Sequence, residues 1–407
     1  MTWIDPERVA AALLGHPRMF WLDGAAGPVG SRRSLVGWLG TDDVSLAVPP
    51  GRDPFGPTAD LLAGLAPDQR LVGWFGYAAR LDLPAQRGSG PVPDSLWMRV
   101  SRYVVFDHDA RSVTPVGCEL PDAPQLGDPP AGTGLVTLDT ESPAAYARAF
   151  GHVQEQLRRG NTYEVNLTYR HVVACDQDSF GVYRRLRRLN PAPYAAYLQH
   201  DGIAVLSSSP EQFARIEDGW IQTRPIKGTT PRDADPEQDA VQAERLRRDP
   251  KLRAENLIVT DLLRNDLSMV CLPGTVSVPD LMRVESYASV HQLVTTVRGR
   301  LRVDVAQAVR ALMPAGSMTG APKLRTMQVI ADLESSARGV YAGALGWMGR
   351  DAADLAVVIR TLVHDGSTWA AGTGGGITVG SDVRAERAEA ELKLDRLLAA
   401  LSGEGGA

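Results

Sequence analysis

The stretch SPAAYARAFGHVQEQLRRGNTYEVNLTYRHVVA, residues 142–174, decides the fold, because a helix signal in it is followed directly by a strand signal. Ser142 and Pro143 are typical of a helix N-cap and first turn. Apolar residues then recur at helical spacing as far as the turn signal at Gly160, and residues 165–173 alternate apolar with mostly polar side chains. The stretch therefore predicts a helix that leads into a half-buried strand.

Outward from this stretch, the sequence mixes hairpin signals with long helical patterns. Two Asp-Gly pairs, at 218–219 and 365–366, lie between β-like segments and predict hairpin turns. Short apolar runs that indicate strands cover residues 71–77, 102–106 and 203–206. Helical periodicity covers residues 238–265, 304–313, 321–336 and 384–401. The regular strand–helix alternation of a parallel sheet is missing, so the sequence predicts an α+β fold with helices outside the sheets.

Composition narrows the class of protein. The chain has 407 residues, is 44% hydrophobic and has a formal net charge of −5 without a basic block, which argues against a nucleic-acid partner. No apolar run approaches the length of a membrane span, and the N-terminus is acidic, so we expect a cytoplasmic protein without a membrane partner. The Pro- and Gly-rich residues 121–134 predict a surface linker within one enzyme unit, between an N-terminal β-rich region at 1–134 and a catalytic core at 135–407.

The C-terminal helical pattern is a first candidate for chemistry. Glu386, Glu389 and Lys393 stand at i, i+3 and i+7, which places them on one face of a helix. Two carboxylates at this spacing can reach one hard cation, and Mg²⁺ prefers a few carboxylates together with substrate oxygens. The same spacing is also typical of a solvated face with salt bridges, so the helix alone does not decide between the two.

Four further segments also fit either a functional or a purely structural interpretation. The glycine run at 371–377 suits either an anion site or a flexible turn, and Lys227 suits either a nucleophile or a surface turn. Glu255 begins an apolar helical stretch that ends in an Arg-Asn-Asp cluster at 264–266. The turn at 314–323 presents hydroxyl and backbone N–H groups ahead of a helix.

These five segments in this order, with Ser208-Ser209-Pro210-Glu211 as a sixth, resemble the chorismate-utilising enzymes. The resemblance covers the chain from about residue 70 and is dense from residue 142 to the end. It implies antiparallel sheets packed together, helices outside, and an active site between the sheets. The members of this family include anthranilate, isochorismate, salicylate and aminodeoxychorismate synthases.

The resemblance also implies a role for individual residues. Glu255 and Glu389 would hold Mg²⁺ with support from Glu386, and Gly374 and Gly376 would donate backbone N–H groups to the ring carboxylate of chorismate. Arg360 and Lys393 would bind the pyruvyl carboxylate, and Glu211 would protonate the departing C4 hydroxyl. The positions that match ring or hydroxyl contacts are Tyr341, Ser317, Thr229 and His291.

Two positions point to one branch of the family. The members that add water to C2 place a lysine before the valine of the first strand, whereas this chain has Glu164 before Val165, and aminating members commonly have Gln there. At the position of Lys227 anthranilate synthases usually have Ala, and Lys marks the aminodeoxychorismate branch. We expect Lys227 to occupy C2 temporarily as a neutral amine, with its pKa lowered by burial and by Mg²⁺.

The nitrogen source is expected to be a second protein. No Gly-x-Cys-x-Gly motif of a glutaminase is present, so the resemblance implies a separate glutamine amidotransferase partner that supplies ammonia. The product, 4-amino-4-deoxychorismate, would need a lyase to become 4-aminobenzoate, a folate precursor. Two alternatives remain open: an anthranilate synthase large subunit, and a non-catalytic protein that binds chorismate or docks an amidotransferase.

Overall fold

The computed structural model describes residues 3–25, 32–132, 134–287 and 290–403. Within these ranges the strands are β1 (Arg18–Asp23), β2 (Arg33–Trp38), β3 (Ser45–Val48), β4 (Arg70–Phe75), β5 (Ser95–Val100), β6 (Tyr103–Asp107), β7 (Ser112–Val116), β8 (Val136–Thr140), β9 (Glu164–Ala174), β10 (Tyr194–His200), β11 (Ile203–Ser209), β12 (Gln212–Glu217), β13 (Trp220–Arg224), β14 (Ile226–Pro231), β15 (Ser277–Ser286), β16 (Val290–Arg300), β17 (Gly320–Ala321), β18 (Ala344–Met348), β19 (Ala353–Val357), β20 (Thr361–His364) and β21 (Trp369–Ile377).

The same ranges contain helices that lie between groups of strands. They are α1 (Pro6–Ala12), α2 (Phe55–Ala63), α3 (Pro143–Arg158), α4 (Ser179–Leu189), α5 (Pro236–Arg248), α6 (Pro250–Ser268), α7 (Val305–Leu312), α8 (Lys323–Leu333) and α9 (Val383–Ser402), with a 3₁₀ turn at Gly316–Met318. None of the helices in the described ranges is long and apolar enough to cross a membrane.

The strands form two antiparallel sheets. The 11-stranded sheet has the order β17-β9-β21-β20-β11-β10-β1-β2-β6-β7, with β8 paired to β9. The 10-stranded sheet has the order β14-β16-β13-β12-β19-β18-β4-β5-β3, with β15 paired to β16. Each sheet combines strands from before and after residue 134, so the two parts of the chain share their backbone hydrogen bonds.

The two sheets pack face to face and the helices cover their outer faces. Phe20 of the first sheet and Trp74 of the second lie in one apolar cluster between the sheets. A second cluster joins the first sheet to α1, α4 and α9, and a third joins the second sheet to α2, α6 and α7. The prediction of antiparallel sheets with helices outside is therefore confirmed.

The stretch at 142–174 folds as its pattern predicts, with one difference. The Ser142 side chain accepts a hydrogen bond from the backbone N–H of Ala145 and caps α3, and β9 follows. The first six residues of β9 are buried on both faces rather than alternately. The reason is that α3 and α8 cover one face of this region, while Ser317 and Glu334 contact the side chains of Asn166 and Thr168 on the other face.

One predicted helix is two helices. The helical pattern at 238–265 is interrupted at Asp249, which adopts an extended conformation (φ −58°, ψ 116°) between α5 and α6. Pro250 disfavours helical geometry at the residue before it, and the Asp249 side chain accepts from the backbone N–H of Leu252 to cap α6. The break matters for the site, because it sets the direction in which α6 presents Glu255.

A buried ion pair after α8 connects strand β9 to the Gly316–Met318 turn. Arg338 donates two hydrogen bonds to the Glu334 carboxylate, and the two side chains are only 3% and 5% exposed. Arg338 also donates to the carbonyl oxygens of Met318 (2.6 Å) and Asn166 (2.7 Å). Glu334 accepts from the N–H and the hydroxyl of Thr168 in β9, both at 2.8 Å.

We predict that Arg338→Met lowers the free energy of unfolding by about 3–5 kcal/mol, because it leaves a buried Glu334 carboxylate without its cation. Arg325→Met is the matched control, since Arg325 is exposed on the neighbouring helix α8, and it should change stability by less than about 0.5 kcal/mol. Urea unfolding followed by circular dichroism measures both. A loss of less than about 1 kcal/mol in Arg338→Met would contradict the prediction.

Candidate active site

The innermost contact of the site is an ion pair between Lys227 and Glu164. Glu164 begins β9 in the first sheet and Lys227 lies in β14 at the edge of the second, so the contact crosses between the sheets. The side chains are 11% and 2% exposed. A Cβ at Gly376 would overlap the Glu164 carboxylate and lie 3.1 Å from Lys227 Nζ, so only glycine leaves room for this pair.

The charge on Lys227 differs from what the sequence led us to expect. Burial lowers the pKa of Lys227, but Glu164 in contact with it, and Glu255 and Glu211 nearby, outweigh burial and raise the pKa above its ordinary value. In this arrangement of side chains Lys227 is an ammonium group. The expectation of a lowered pKa rested on burial and on a bound Mg²⁺, and it left out the carboxylate at position 164.

Glu211 lies in the turn after β11, beside the Gly316–Met318 turn. Its Oε1 accepts a hydrogen bond of 2.6 Å from the Ser317 hydroxyl. Burial raises the pKa of Glu211 to about 7, although the Ser317 hydrogen bond and the Lys227 charge act against the shift. Lys323 holds the turn in place by donating to Asp266 (2.6 Å) and to the Pro314 carbonyl oxygen (3.0 Å). Glu211 can therefore be a protonated acid near neutral pH.

Glu255 of α6 and Glu386 of α9 approach each other through a lysine that the sequence analysis did not single out. Lys251 Nζ lies 3.2 Å from Glu386 Oε1 and 3.8 Å from Glu255 Oε1. Burial raises the pKa of Glu255 to about 7, and the charges of Glu164 and Glu386 act in the same direction. The signal for Lys251 was present in the sequence, because it stands four residues before Glu255 and shares its helix face.

The donor set of these carboxylates fits a magnesium ion that is shared with a substrate. Within the described ranges no three His, Cys, Asp or Glu side chains converge as a ready metal cage. Glu255 Oε1 is nevertheless buried without a hydrogen-bond partner among the described residues, which suits a cation. Magnesium needs only one or two carboxylates when substrate oxygens and water complete its shell.

The remaining part of α9 meets the glycine run of β21. Lys393 Nζ donates to the Gly374 carbonyl oxygen (2.9 Å) and contacts Glu389 Oε1 (2.8 Å). The Glu389 side chain is 59% exposed, so it lies at the solvent side of the site. A Cβ at Gly375 would lie 3.3 Å from Glu386 Oε2, which shows how closely the carboxylate approaches the strand.

An aromatic ring and a guanidinium group line the opposite side of β21. The buried ring of Tyr341 lies against the backbone of Gly372, where any Cβ would overlap it. Burial lowers the pKa of Arg360, while Tyr341 and Glu389 act to raise it. In the described part of the chain the Arg360 guanidinium forms no hydrogen bond, so its planar donors are available to a carboxylate.

Two predicted site residues have other surroundings. Thr229 is exposed on β14, although it stands only two residues after Lys227. His291 is buried, with Nδ1 2.8 Å from the Ser286 hydroxyl and Nε2 2.9 Å from Asp239 Oδ1. Both ring nitrogens of His291 therefore contact residues other than Lys227 and its carboxylate neighbours. Substrate roles for Thr229 and His291 stay predictions.

Comparison with known proteins decides the family. Residues 53–399 match the family model described as chorismate binding enzyme. The chain belongs to this family. An aminodeoxychorismate synthase of Streptomyces pristinaespiralis is 45% identical over 361 residues, which are 81% of this chain and 50% of that protein. The aminodeoxychorismate synthase component 1 of Klebsiella aerogenes is 39% identical over 80% of this chain and 76% of that protein.

Two solved structures share the architecture of this chain. Anthranilate synthase component I of Streptococcus pneumoniae superposes with a TM-score of 0.78 at 24% identity, over 91% of this chain and 93% of that chain. The menaquinone-specific isochorismate synthase MenF of Escherichia coli gives a TM-score of 0.75 at 20% identity, over 98% and 91%. These structures establish the fold. The chain spans about half the length of the aminodeoxychorismate synthases of Streptomyces pristinaespiralis and Streptomyces griseus.

We predict that Glu211→Gln stabilises this chorismate binding enzyme at high pH. The carboxyl has a pKa of about 7 in the folded protein, above the ordinary value of 4.5, so the folded state binds its proton more tightly. Stability from this group is present below about pH 4.5 and is lost as the pH rises through 7, at a cost of about 3 kcal/mol. A neutral amide avoids the cost, so the variant should gain up to that amount at pH 8 and little at pH 5.

Denaturant unfolding at pH 5 and pH 8 measures the difference. Glu217→Gln is the control, because Glu217 is 61% exposed at the end of β12 and should show no such pH dependence. Equal effects of Glu211→Gln at the two pH values would contradict the raised pKa.

Proposed function

We propose that this chain is the chorismate-converting component of an aminodeoxychorismate synthase, which replaces the C4 hydroxyl of chorismate by an amine. The observation that supports this is the buried amine of Lys227, held against Glu164 with Glu211 close enough to influence its charge. An amine inside the site has no evident use if ammonia attacks C2 directly. The amine has a use if another group must be bonded to C2 while C4 reacts. Two of the similar proteins are named aminodeoxychorismate synthase.

The lysine must first lose a proton, because only the neutral amine has a lone pair for attack. Glu164 is in contact with the ammonium and is the nearest base, so it is the group that we propose takes this proton. A free lysine would need about 4–5 kcal/mol to be neutral at pH 7, and the negative charge of Glu164 adds to that cost because it raises the pKa of Lys227. What the contact provides is a direct acceptor for the proton during the reaction. This gives Glu164 a role in the reaction at the position where other aminating members have Gln.

The neutral amine of Lys227 then attacks C2, the ring double bonds shift, and the C4–O bond breaks. Glu211 is placed to give its proton to the departing hydroxyl, which leaves as water, and the pKa of about 7 suits this donation. Ammonia next attacks C4, the double bonds shift back, and the bond from C2 to Lys227 breaks. The product is 4-amino-4-deoxychorismate and the lysine is released unchanged.

The two carboxylates of chorismate need positive partners at the two ends of the site. At one end Glu255 and Glu386, with Glu389 at the rim, would hold a magnesium ion, which supplies charge to the ring carboxylate. At the other end Arg360 would bind the pyruvyl carboxylate, and Lys393, which lies between the glycine strand and Glu389, would bind it from the magnesium side. Tyr341 would pack against the ring between them.

Ammonia is proposed to come from a glutamine amidotransferase. The relatives from Klebsiella aerogenes and Escherichia coli are named component 1, which supports a second component for this chain as well. A lyase would then have to remove pyruvate from the product to give 4-aminobenzoate, the precursor used in folate synthesis.

Anthranilate synthesis is the second candidate, and one observation favours it. The anthranilate synthase component 1 of Streptomyces coelicolor is 34% identical over 92% of this chain and 82% of that protein. Chorismate, magnesium and ammonia are common to both reactions, so the site as a whole does not separate them. Lys227 supports the first candidate, because a lysine bonded to C2 would block that carbon against ammonia.

We predict that Glu255→Gln lowers turnover of chorismate by at least about a hundredfold and weakens Mg²⁺ binding, because it removes a charged oxygen from a cation with few protein ligands. Glu244→Gln, an exposed carboxylate of α5, should leave both unchanged. Turnover is followed with ammonium as donor, and Mg²⁺ binding by calorimetry. Full activity of the wild-type protein in excess EDTA would exclude the metal.

We predict that Lys227→Ala reduces formation of 4-amino-4-deoxychorismate on the order of a thousandfold, with kcat falling far more than KM rises, because the groups that would bind both carboxylates remain. Lys227→Arg should fail equally, since a guanidinium group stays protonated. The measurement is mass spectrometry of the products with ammonium as donor. A near wild-type rate in Lys227→Ala, or anthranilate as the wild-type product, would reject the proposed function.

A further inference from the structure

Lys251 joins the two helices that present the carboxylates of the proposed magnesium site. It lies in the first turn of α6, and its ammonium group contacts Glu386 Oε1 of α9 at 3.2 Å and Glu255 Oε1 of its own helix at 3.8 Å. Glu386, Glu255 and Glu389 all raise the pKa of Lys251 against the effect of burial, which acts first and lowers it. One ammonium group therefore contacts two of the three side chains that were predicted to hold the metal.

The exposure of the partners is unequal. The side chains of Glu255 and Glu386 are 10% and 7% exposed, whereas that of Lys251 is 50% exposed. The Glu386 carboxylate is held in the site, because it also accepts a hydrogen bond from the Ser381 hydroxyl at 2.7 Å. The lysine reaches them from the solvent side on a flexible stem and can return to water at little cost.

An ordinary helix-surface pair would look different. A Lys–Glu pair at i, i+4 usually joins two exposed side chains, but Glu255 is buried and its Oε1 lacks a hydrogen-bond partner among the described residues. The shorter of the two contacts crosses from α6 to α9. The ammonium thus lies where a cation between two helices would lie.

We propose that Lys251 is an internal counter-cation that competes with the divalent cation for Glu255 and Glu386. This inference rests on the proposed function only in assuming that these carboxylates bind magnesium. An ammonium and a divalent cation repel each other at such separations, so the metal enters as Lys251 moves out to solvent. When no metal is bound, Lys251 balances the negative charge of the two carboxylates. The free energy needed to break its ion pairs weakens the apparent affinity for Mg²⁺.

The test is calorimetric titration of Mg²⁺ into the full chain after removal of metal with EDTA. Lys251→Met should bind Mg²⁺ roughly fivefold more tightly than the wild-type protein, because the competing ion pair is gone. Lys251→Arg keeps the positive charge and should stay within about twofold of the wild-type affinity. Arg253→Met is the matched control: it removes the same charge from the same helix, but Arg253 is exposed and donates to the Arg247 carbonyl oxygen, so the affinity should not change.

Thermal unfolding gives a second measurement on the same proteins. Lys251→Met should be less stable than the wild-type protein in EDTA and should gain more stability from saturating Mg²⁺. Lys251→Gln repeats both experiments with a polar side chain. Equal or weaker Mg²⁺ binding in both variants would overturn the inference.

Glu255→Gln separates the inference from the proposed metal site. If it abolishes Mg²⁺ binding while Lys251→Met does not tighten it, the inference fails and the metal site stands. If Glu255→Gln leaves Mg²⁺ binding unchanged, the metal site fails and the inference fails with it.

Discussion

The buried pair of Arg338 and Glu334 is the interaction on which the geometry of the site depends. Two opposite charges are tolerated in a protein interior only when their remaining donors and acceptors also have partners. Here those partners are the backbone of Asn166, Thr168 and Met318. Strand β9 and the Gly316–Met318 turn are thus tied to one point. The positions of Glu164, two residues before Asn166, and of Ser317, which contacts Glu211, follow from it.

In the rest of the site, three lysine side chains each contact a glutamate. Lys227 contacts Glu164, Lys251 contacts Glu386, and Lys393 contacts Glu389. The first two pairs join different secondary-structure elements, so the charges also fix how those elements approach. The pairing with Glu164 raises the pKa of Lys227, so the proposed attack by this lysine has to begin with a proton transfer.

The fold by itself does not choose among the reactions of this family. Anthranilate and isochorismate synthases share it with this chain at 20–24% identity. Function within one fold depends on particular side chains at the site. In the proposed function the decisive ones are Lys227 and Glu164, and both are accommodated because Gly376 has no side chain to exclude them.

The amino-acid sequence by itself determined the fold class and most helices and hairpins. Periodicity, caps and turn residues are local properties, so Ser142 and the Asp-Gly turns could be read directly. The break at Asp249 was also local, but the apolar pattern on both sides concealed it. Only the tertiary structure decided which charges meet. Lys227 and Glu164 are 63 residues apart, and Lys251 and Glu386 are 135 residues apart. The charge state of a buried lysine depends on the carboxylates that folding brings to it, and that pairing across two sheets and two helices has no signature in local sequence.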